Sequence, residues 1–587
     1  MRDQGIEGSR DQGIEGSRDQ GRDTDRARVP CPSCKRGHAS RERLGNAGLV
    51  DLAALASQNR LRSAALILLA LFTAAPGLSQ TSTAPARQAP TRPPTTTRNT
   101  GPQFEITFDA SVSAKPFTGR VYVVATKRAY LNPLETVEWF NSDPVFARDV
   151  QNWKPGETLL INSENCLAYP SKPADLPANI YRVQAVMGLN DWAQHPIDAS
   201  GNGCSEIAVF KHPVAQSPTI RLVINHKIPQ PPVAHGDGIE YVRVKSELLS
   251  KFHRRDVYLE AVLALPPSYS GEKSETDRRF PAVYQIPGFD GRVQFANPAP
   301  FASLLAMIGL DAVVVALVAS CPTGHHVFAD SANNGPWGKA LVTEFIPYLE
   351  AHYRLIPDTA ARYLTGHSSG GWSSLWLQVT YPQVFGGVWS TSPDPVDFNS
   401  FMQINIYDPP ESVFSNADGS QRMLSRPGFF GHIGWRALAD LEEVMGRGGQ
   451  LGSFEAVFSP RGPDGKPARL WDRAIGAVDR DVARAWRKYD ICSLLESKWS
   501  TLGPLLAGKL HVYCGDRDDF FLEQPFLRLR ETLAKLGSDA HLELVSGATH
   551  MLPPRVFNEI AGEMAKQFAA LQQATKETRQ PAGALLD

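Results

Sequence analysis

The sequence predicts an α/β architecture, a mostly parallel sheet flanked by helices and carrying an insertion, preceded by a small all-β, sandwich-like domain. Three observations predict it. Between about 104 and 226, short β-branched runs are separated by Pro, Gly, Asn and Asp. From about 256 the runs become continuously apolar and alternate with helical periodicity, as strands buried on both faces do. A 42% apolar content over 587 residues supplies at least one large core. This length excludes a single small binding module. Lys plus Arg (60) against Asp plus Glu (61) leaves a charge of −1, so the electrostatic footprint of a nucleic-acid binder is missing and no nucleic-acid partner is expected. Seven cysteines are too few for a disulfide-stapled scaffold.

The chain organises as follows. Residues 1–59 read as a disordered, low-complexity extension, because Arg2–Ser9 repeats as Arg10–Ser17 and bulky apolar residues are scarce. Cys31 and Cys34, with His38 nearby, fall short of the four ligands of a zinc site, so no metal is assigned. Residues 60–79 read as a signal peptide: Arg60 and Arg62 precede the apolar run Ala64–Ala75, which is followed by Pro76 and small residues. That run is too short to span a bilayer. The mature chain is therefore expected to be secreted or periplasmic, without a stable membrane span, and translation is expected to start downstream of Met1, near Val50. Residues 80–103 form a Thr/Pro-rich linker, 104–226 the β domain, 227–238 a second linker, 239–572 the α/β domain and 573–587 a disordered tail.

In the β domain, strands are expected at Phe104–Phe108, Arg120–Ala125, Thr158–Ile161, Ile180–Met187 and Thr219–Ile224. In the last, Ile220, Leu222 and Ile224 alternate with Arg221 and Val223. Cys166 and Cys204 both fall here, and an oxidising compartment would permit a disulfide between them. Exposed tryptophans among Trp139, Trp153 and Trp192 would suit a carbohydrate, whereas core packing is the commoner fate of tryptophan.

In the α/β domain, strands at Val257–Leu265, Phe280–Ile286 and Ala312–Val318 precede an amphipathic helix over Pro336–Tyr353, with Leu341, Phe345, Leu349 and Tyr353 on one stripe. A short strand, Arg362–Thr365, then runs into Gly366-His367-Ser368-Ser369-Gly370, followed by a helix from about Gly371 to Tyr381. Strand, sharp turn and helix are what a G-x-S-x-G elbow requires. The turn leaves no room for side chains at Gly366 and Gly370, holds Ser368 in a strained conformation, and aims the helix N–H groups at a reacting carbonyl. Ser369 lacks the flanking glycine spacing. A serine nucleophile needs a base and an orienting acid, here in the order Ser, Asp, His. The strand Leu510–Cys514 ends in Gly515-Asp516-Arg517-Asp518-Asp519, and the strand His541–Val545 leads to His550. His550 is the expected base. Asp518 is preferred as the acid, with Asp516 and Asp519 as alternatives. The loop Pro287-Gly288-Phe289-Asp290-Gly291 follows an early strand, so the Phe289 N–H is expected to join the Ser369 N–H in an oxyanion hole.

The PGFDG loop, GHSSGG elbow, GDRDDFFLE acidic loop and terminal GATH resemble the esterase D-type α/β hydrolases, a group that includes feruloyl and acetyl esterases, enterochelin esterases and mycolyltransferases. The resemblance spans about 240–572. It implies an α/β-hydrolase fold and a small-molecule or polysaccharide-linked carboxylic ester as substrate, with a siderophore ester also open. Neither cofactor nor metal is required. The chain departs from the pattern over 398–505, a long insertion containing Phe429, Phe430 and Trp435 that is expected to cap the site. The polar loop Cys321–Gly335 is expected beside the elbow. Asp330, Asn334 and His367 are candidates for substrate binding, with helix capping the alternative for Asp330 and Asn334. His325 and His326 adjoin in sequence and point apart, so they suggest no metal. The expected function is a secreted serine esterase. An acyltransferase with the same triad and a non-catalytic carbohydrate-binding or scaffold protein are the rivals, and a peptidase is a more distant third.

Overall fold

The computed structural model describes residues 101–579, apart from 214–217, 234, 271–276 and 429–430. The repeat, the CPSC pair, the expected signal segment, most of the first linker and Phe429 and Phe430 lie outside the described residues.

The N-terminal domain contains β1 (Gln103–Phe108), β2 (Phe117–Thr126), β3 (Val145–Trp153), β4 (Leu159–Ile161), β5 (Leu167–Tyr169), β6 (Asn179–Met187), β7 (Gly203–Ser205), β8 (Ala208–His212) and β9 (Thr219–Lys227). They form one hydrogen-bonded sheet in the order β4-β1-β9-β7-β6-β2-β3-β5, with β8 also on β6. Four strands stand between β1 and β3, yet Phe104 stacks on Phe146 with ring centroids 5.7 Å apart. The sheet therefore curls back around an inner core that includes Phe104, Phe108, Val121, Val183 and Leu222. In β9 the alternation is as the sequence implies, with Ile220, Leu222 and Ile224 buried. β3 escaped the hydropathy pattern because Arg148, Asp149, Gln151 and Asn152 interrupt it. The disulfide does not form: Cys166 and Cys204 are free thiols. Cys166 packs against the inner core, whereas Cys204 belongs to the cluster on the opposite face. Trp153 is buried in the inner core, and Trp139 and Trp192 are half-buried against the α/β domain.

The second sheet contains β10 (Ile239–Lys245), β11 (Tyr258–Ala264), β12 (Ala282–Ile286), β13 (Val313–Leu317), β14 (Arg362–His367), β15 (Gly387–Thr391), β16 (Leu510–Gly515) and β17 (His541–Val545). Its order is β10-β11-β13-β12-β14-β15-β16-β17. All neighbours from β13 to β17 are parallel; β10 with β11, and β11 with β13, are antiparallel. This is an α/β-hydrolase sheet, and its parallel strands carry their carboxyl ends, and the loops that follow, to one edge. The helical stripe is buried as expected at Leu341, Phe345 and Leu349, but the helix is broken into Trp337–Ala340, a π turn over Leu341–Phe345 and Ile346–His352. The final helix, Pro554–Arg579, corrects the expected tail from 573: Gln573, Ala574, Lys576 and Glu577 favour helix, Gln573 bonds Glu577 at 3.1 Å, and no breaker intervenes before Pro581. No helix among the described residues is long and apolar enough to cross a membrane.

The second linker does not keep the two sheets apart. The outer face of the β domain, Tyr122, Val124, Val145, Ala147 and Val186, shares one buried cluster with Trp435, Leu438 and Leu441 of the helix Trp435–Met445 in the insertion. Arg120 grips Asp149 with two bonds of 2.7 and 2.8 Å and donates to the carbonyls of Glu443 and Val444 at 2.7 and 3.0 Å. The Tyr122 hydroxyl donates to the Met445 carbonyl at 2.8 Å. Helix-end carbonyls have no partner within the helix, and a cation there also answers the helix dipole. Arg120→Met is expected to cost about 1–2 kcal/mol, since the exposed Asp149 pair adds little beyond the carbonyl bonds. A thermal melt at unchanged midpoint would refute that role.

Candidate active site

The elbow forms where β14 meets the helix Ser369–Thr380, which begins two residues earlier than the sequence suggested. Ser368 has φ 59° and ψ −123°, a region that costs a non-glycine residue about 1–3 kcal/mol. Its neighbours enforce it. A Cβ on Gly366 would come within 2.2 Å of the Gly370 carbonyl oxygen, and one on Gly370 within 2.1 Å of that of Ile286. The Ser368 N–H donates to Thr391 O at 3.0 Å, while its carbonyl accepts from Trp372 and Asp394 at 3.0 and 3.2 Å. Ser369 opens the helix, so its N–H has no intrahelical acceptor.

The Pro287–Gly291 loop after β12 presses on this turn, since a Cβ on Gly288 would lie 3.4 Å from that of Ser368 and 3.3 Å from His367 O. His325, one half of the adjacent histidine pair, steadies the loop. His325 Nδ1 accepts from the Val327 N–H at 3.0 Å, which leaves Nε2 as the donor to Pro287 O, also 3.0 Å. Burial pushes the His325 imidazolium down to about 4, so the ring stays neutral in that tautomer.

At the ends of β16 and β17, the Asp518 carboxylate meets His550 Nδ1 at 2.8 Å, both groups being buried. Its neighbours do other work. Asp519 accepts the His550 backbone N–H at 3.1 Å, and Asp516 accepts that of Gly547 at 2.8 Å. Burial disfavours the His550 imidazolium, but the Asp518 charge and hydrogen bond, with Asp394 and Asp519 behind, outweigh it and raise the pKa. His550 is tied to the elbow side by Ser392 Oγ, which donates to its carbonyl at 3.1 Å.

The His367 ring lies 4.6 Å from that of His550, centroid to centroid, with Nδ1 3.1 Å from Thr391 Oγ1. Burial, reinforced by His550, lowers its pKa to about 3, so it adds no charge beside the base. Asp330 makes the helix-start bond that was its alternative, and Asn334 is bonded within the fold. Asp330 accepts the Lys339 N–H at 3.0 Å in the first turn of a helix and the Tyr381 hydroxyl at 3.1 Å. Asn334 is buried, accepts from Thr323 Oγ1 at 2.7 Å, and its carbonyl meets His253 Nε2 at 2.9 Å. The polar loop that carries them folds into two short hairpins.

Behind the elbow lies a buried carboxylate that no motif flagged. Asp394 accepts from Ser369 Oγ at 2.5 Å and from Gln450 Nε2 at 3.2 Å, and burial raises its pKa to about 6. Gln450 opens the helix Gln450–Phe458 of the insertion, whose Leu451 and Gly452 N–H groups are capped by Glu442 at 2.8 Å each. From the same insertion Arg426 donates to the Asp518 carbonyl and pairs with Glu523 at 2.8 Å. The insertion thus touches both the elbow and the acid loop. Among the described residues, metal-capable atoms gather only at His541, Glu543 and Glu559, at the opposite end of β17 from His550, and Glu543 there is already paired with Arg555.

A serine in a strained elbow and a histidine bonded to a buried carboxylate are residue types that acyl transfer employs. Residues 258–535 match the family described as "Putative esterase". Similar solved structures include FphF, a fluorophosphonate-binding serine hydrolase of Staphylococcus aureus, with 13% identity, 57% of this chain and 99% of that chain covered, and a TM-score of 0.34. An S-formylglutathione hydrolase of Agrobacterium tumefaciens gives 17%, 58%, 98% and 0.32 for the same quantities. A ferulic acid esterase of Anaeromyces mucronatus gives 14%, 58%, 95% and 0.30. No curated protein matches the chain.

Proposed function

We propose, from the premise that residues 258–535 belong to the esterase family, that this carboxylic ester hydrolase works through Ser368, His550 and Asp518 and an acyl-enzyme intermediate. The observation that carries the reading is the buried Asp518–His550 bond, with the His550 ring 4.6 Å from that of His367, which directly precedes a serine held in a strained elbow. Ser368 Oγ attacks the ester carbonyl as His550 Nε2 takes its proton. The Ser369 and Phe289 N–H groups receive the negative oxygen of the tetrahedral intermediate. When that intermediate collapses, His550 returns the proton to the leaving alcohol. Water, deprotonated by the same ring, then attacks the acyl-enzyme, releasing the acid and restoring Ser368. Asp518 holds Nδ1–H throughout and stabilises the imidazolium. His367, neutral beside the base, is placed against the substrate.

Two supports stand behind the oxyanion donors. The His325 bond to Pro287 holds the Phe289 loop, and the Asp394 bond to Ser369 Oγ fixes the residue that supplies the second N–H. The Arg60–Ser79 segment supports secretion, with a polysaccharide-linked or siderophore-type ester as the substrate outside the cell.

The pH dependence tests the reading. The imidazolium cannot accept the serine proton, so kcat/KM is lost as pH falls through the pKa of the folded protein. Because that pKa is raised, the acid limb is expected above the ordinary histidine value of about 6.5. Asp518→Asn removes the charge and the bond that raise it and is expected to shift the limb downward. A limb that does not move would place the titrating base elsewhere.

A further inference from the structure

Trp139 and Phe140 belong to the β domain, in the loop between β2 and β3, yet they face the hydrolase. Trp139 lies 5.3 Å from Phe289, centroid to centroid, and Phe140 lies 6.3 Å from Phe520, which in turn meets the His550 ring edge-on at 4.8 Å. The two loop rings are 6.2 Å apart. Phe289, Trp139, Phe140 and Phe520 are all half-buried, so the row keeps surface open from the oxyanion loop to the base.

The row is a built feature. Arg128, at the start of the loop, pairs with Glu138 next to Trp139 at 2.7 Å and with buried Asp143 near the loop's end at 3.2 Å. Opposite it, Gly431 of the insertion has φ 112°, and a Cβ there would come within 2.7 Å of that of Phe140. The β domain also holds the far end of the oxyanion loop: His195 pairs with Asp290, and Asp198 pairs at 2.6 Å with Arg292, itself 3.0 Å from Asp290.

We infer that the β domain completes the substrate site, with Trp139 and Phe140 joining Phe289 and Phe520 in a wall that binds a bulky apolar group of the ester. The inference rests on the triad reading above. An aromatic wall gives its binding energy to apolar surface laid against it and little to a methyl group. The wall therefore selects for ester size. Its position between the oxyanion loop and the base is open to a large acyl group or a large alcohol, and both are apolar occupants of the same surface.

The test uses the full chain and two ratios of kcat/KM: p-nitrophenyl hexanoate over acetate for the acyl side, and benzyl over methyl butyrate for the alcohol side. Trp139→Ala is expected to lower one of these ratios about tenfold or more, mainly through KM. Phe140→Ala should act on the same ratio, and Trp139→Phe should restore most of it. Phe210→Leu, in the inner core of the β domain, softens that domain away from the wall and is expected to leave both ratios in place. Whichever ratio falls identifies the side of the ester that meets the wall. Both ratios unchanged in folded Trp139→Ala and Phe140→Ala, or an equal fall in Phe210→Leu, would overturn the inference. Fluorophosphonate labelling of the wild-type chain separates the two levels: no label on Ser368 defeats the triad reading, whereas a labelled Ser368 with unmoved ratios defeats the wall alone.

Discussion

Ser368→Ala is expected to lower kcat/KM for a short-chain ester by about 10⁴- to 10⁶-fold while the protein stays folded. Alanine has no atom to attack the carbonyl, and a proton-accepting His550 without its nucleophile contributes little. The Ser369 and Phe289 N–H groups remain, so some rate above the uncatalysed reaction persists. The glycine variant sharpens the prediction. Ser368 occupies φ 59°, ψ −123°, where an L side chain is strained and glycine is not. Ser368→Gly should therefore be as inactive as the alanine variant and more stable than the parent, by about 1 kcal/mol, read as a raised midpoint in thermal unfolding. A less stable glycine variant would mean that the elbow stores no strain.

Asp518→Asn is expected to cost about 10⁴-fold in kcat near neutral pH. The asparagine amide would present N–H groups to His550 Nδ1, favour the opposite tautomer, and leave Nε2 carrying the proton it must accept. Asp519→Asn and Asp516→Asn should cost about tenfold or less, because those carboxylates accept backbone N–H groups of the His550 loop and do not meet the ring. Steady-state kinetics of the three variants at one pH decides the assignment. If Asp519→Asn were the most damaging, the acid would be misassigned.

The motifs of this chain were legible because each is local. The elbow announces itself as strand, GHSSG and helix, and Asp518 and His550 each follow a short apolar strand by a few residues. What stayed hidden was assembled across the chain. β10 carries Glu240, Arg243 and Lys245 because it is an edge strand with one exposed face, and β15 mixes Gly387, Ser390 and Thr391 although it is fully buried. Neither gives a continuous apolar run. Asp394 and Gln450 belong to no motif, and they reach Ser369 from 25 and 81 residues away. His325 was noticed as half of a histidine pair, but its tautomer and its grip on Pro287 depend on a fold contact 38 residues distant. Asp330 and Asn334 looked available for substrate because a polar loop at a strand's carboxyl end often is. Asp330 instead bonds a helix start and Tyr381, and the Asn334 side-chain oxygen accepts from Thr323. Trp139 shows the same limit: sequence supplies the ring, and only packing shows which domain it faces.

The most direct measurement is labelling of the purified chain with a fluorophosphonate probe, mapped by mass spectrometry, with hydrolysis of p-nitrophenyl acetate followed in the same sample. The label is expected on Ser368 alone, and activity is expected to disappear in step with labelling. A folded, ester-hydrolysing chain that stays unlabelled at Ser368, or takes the label on another serine, would contradict the assignment of Ser368 as nucleophile.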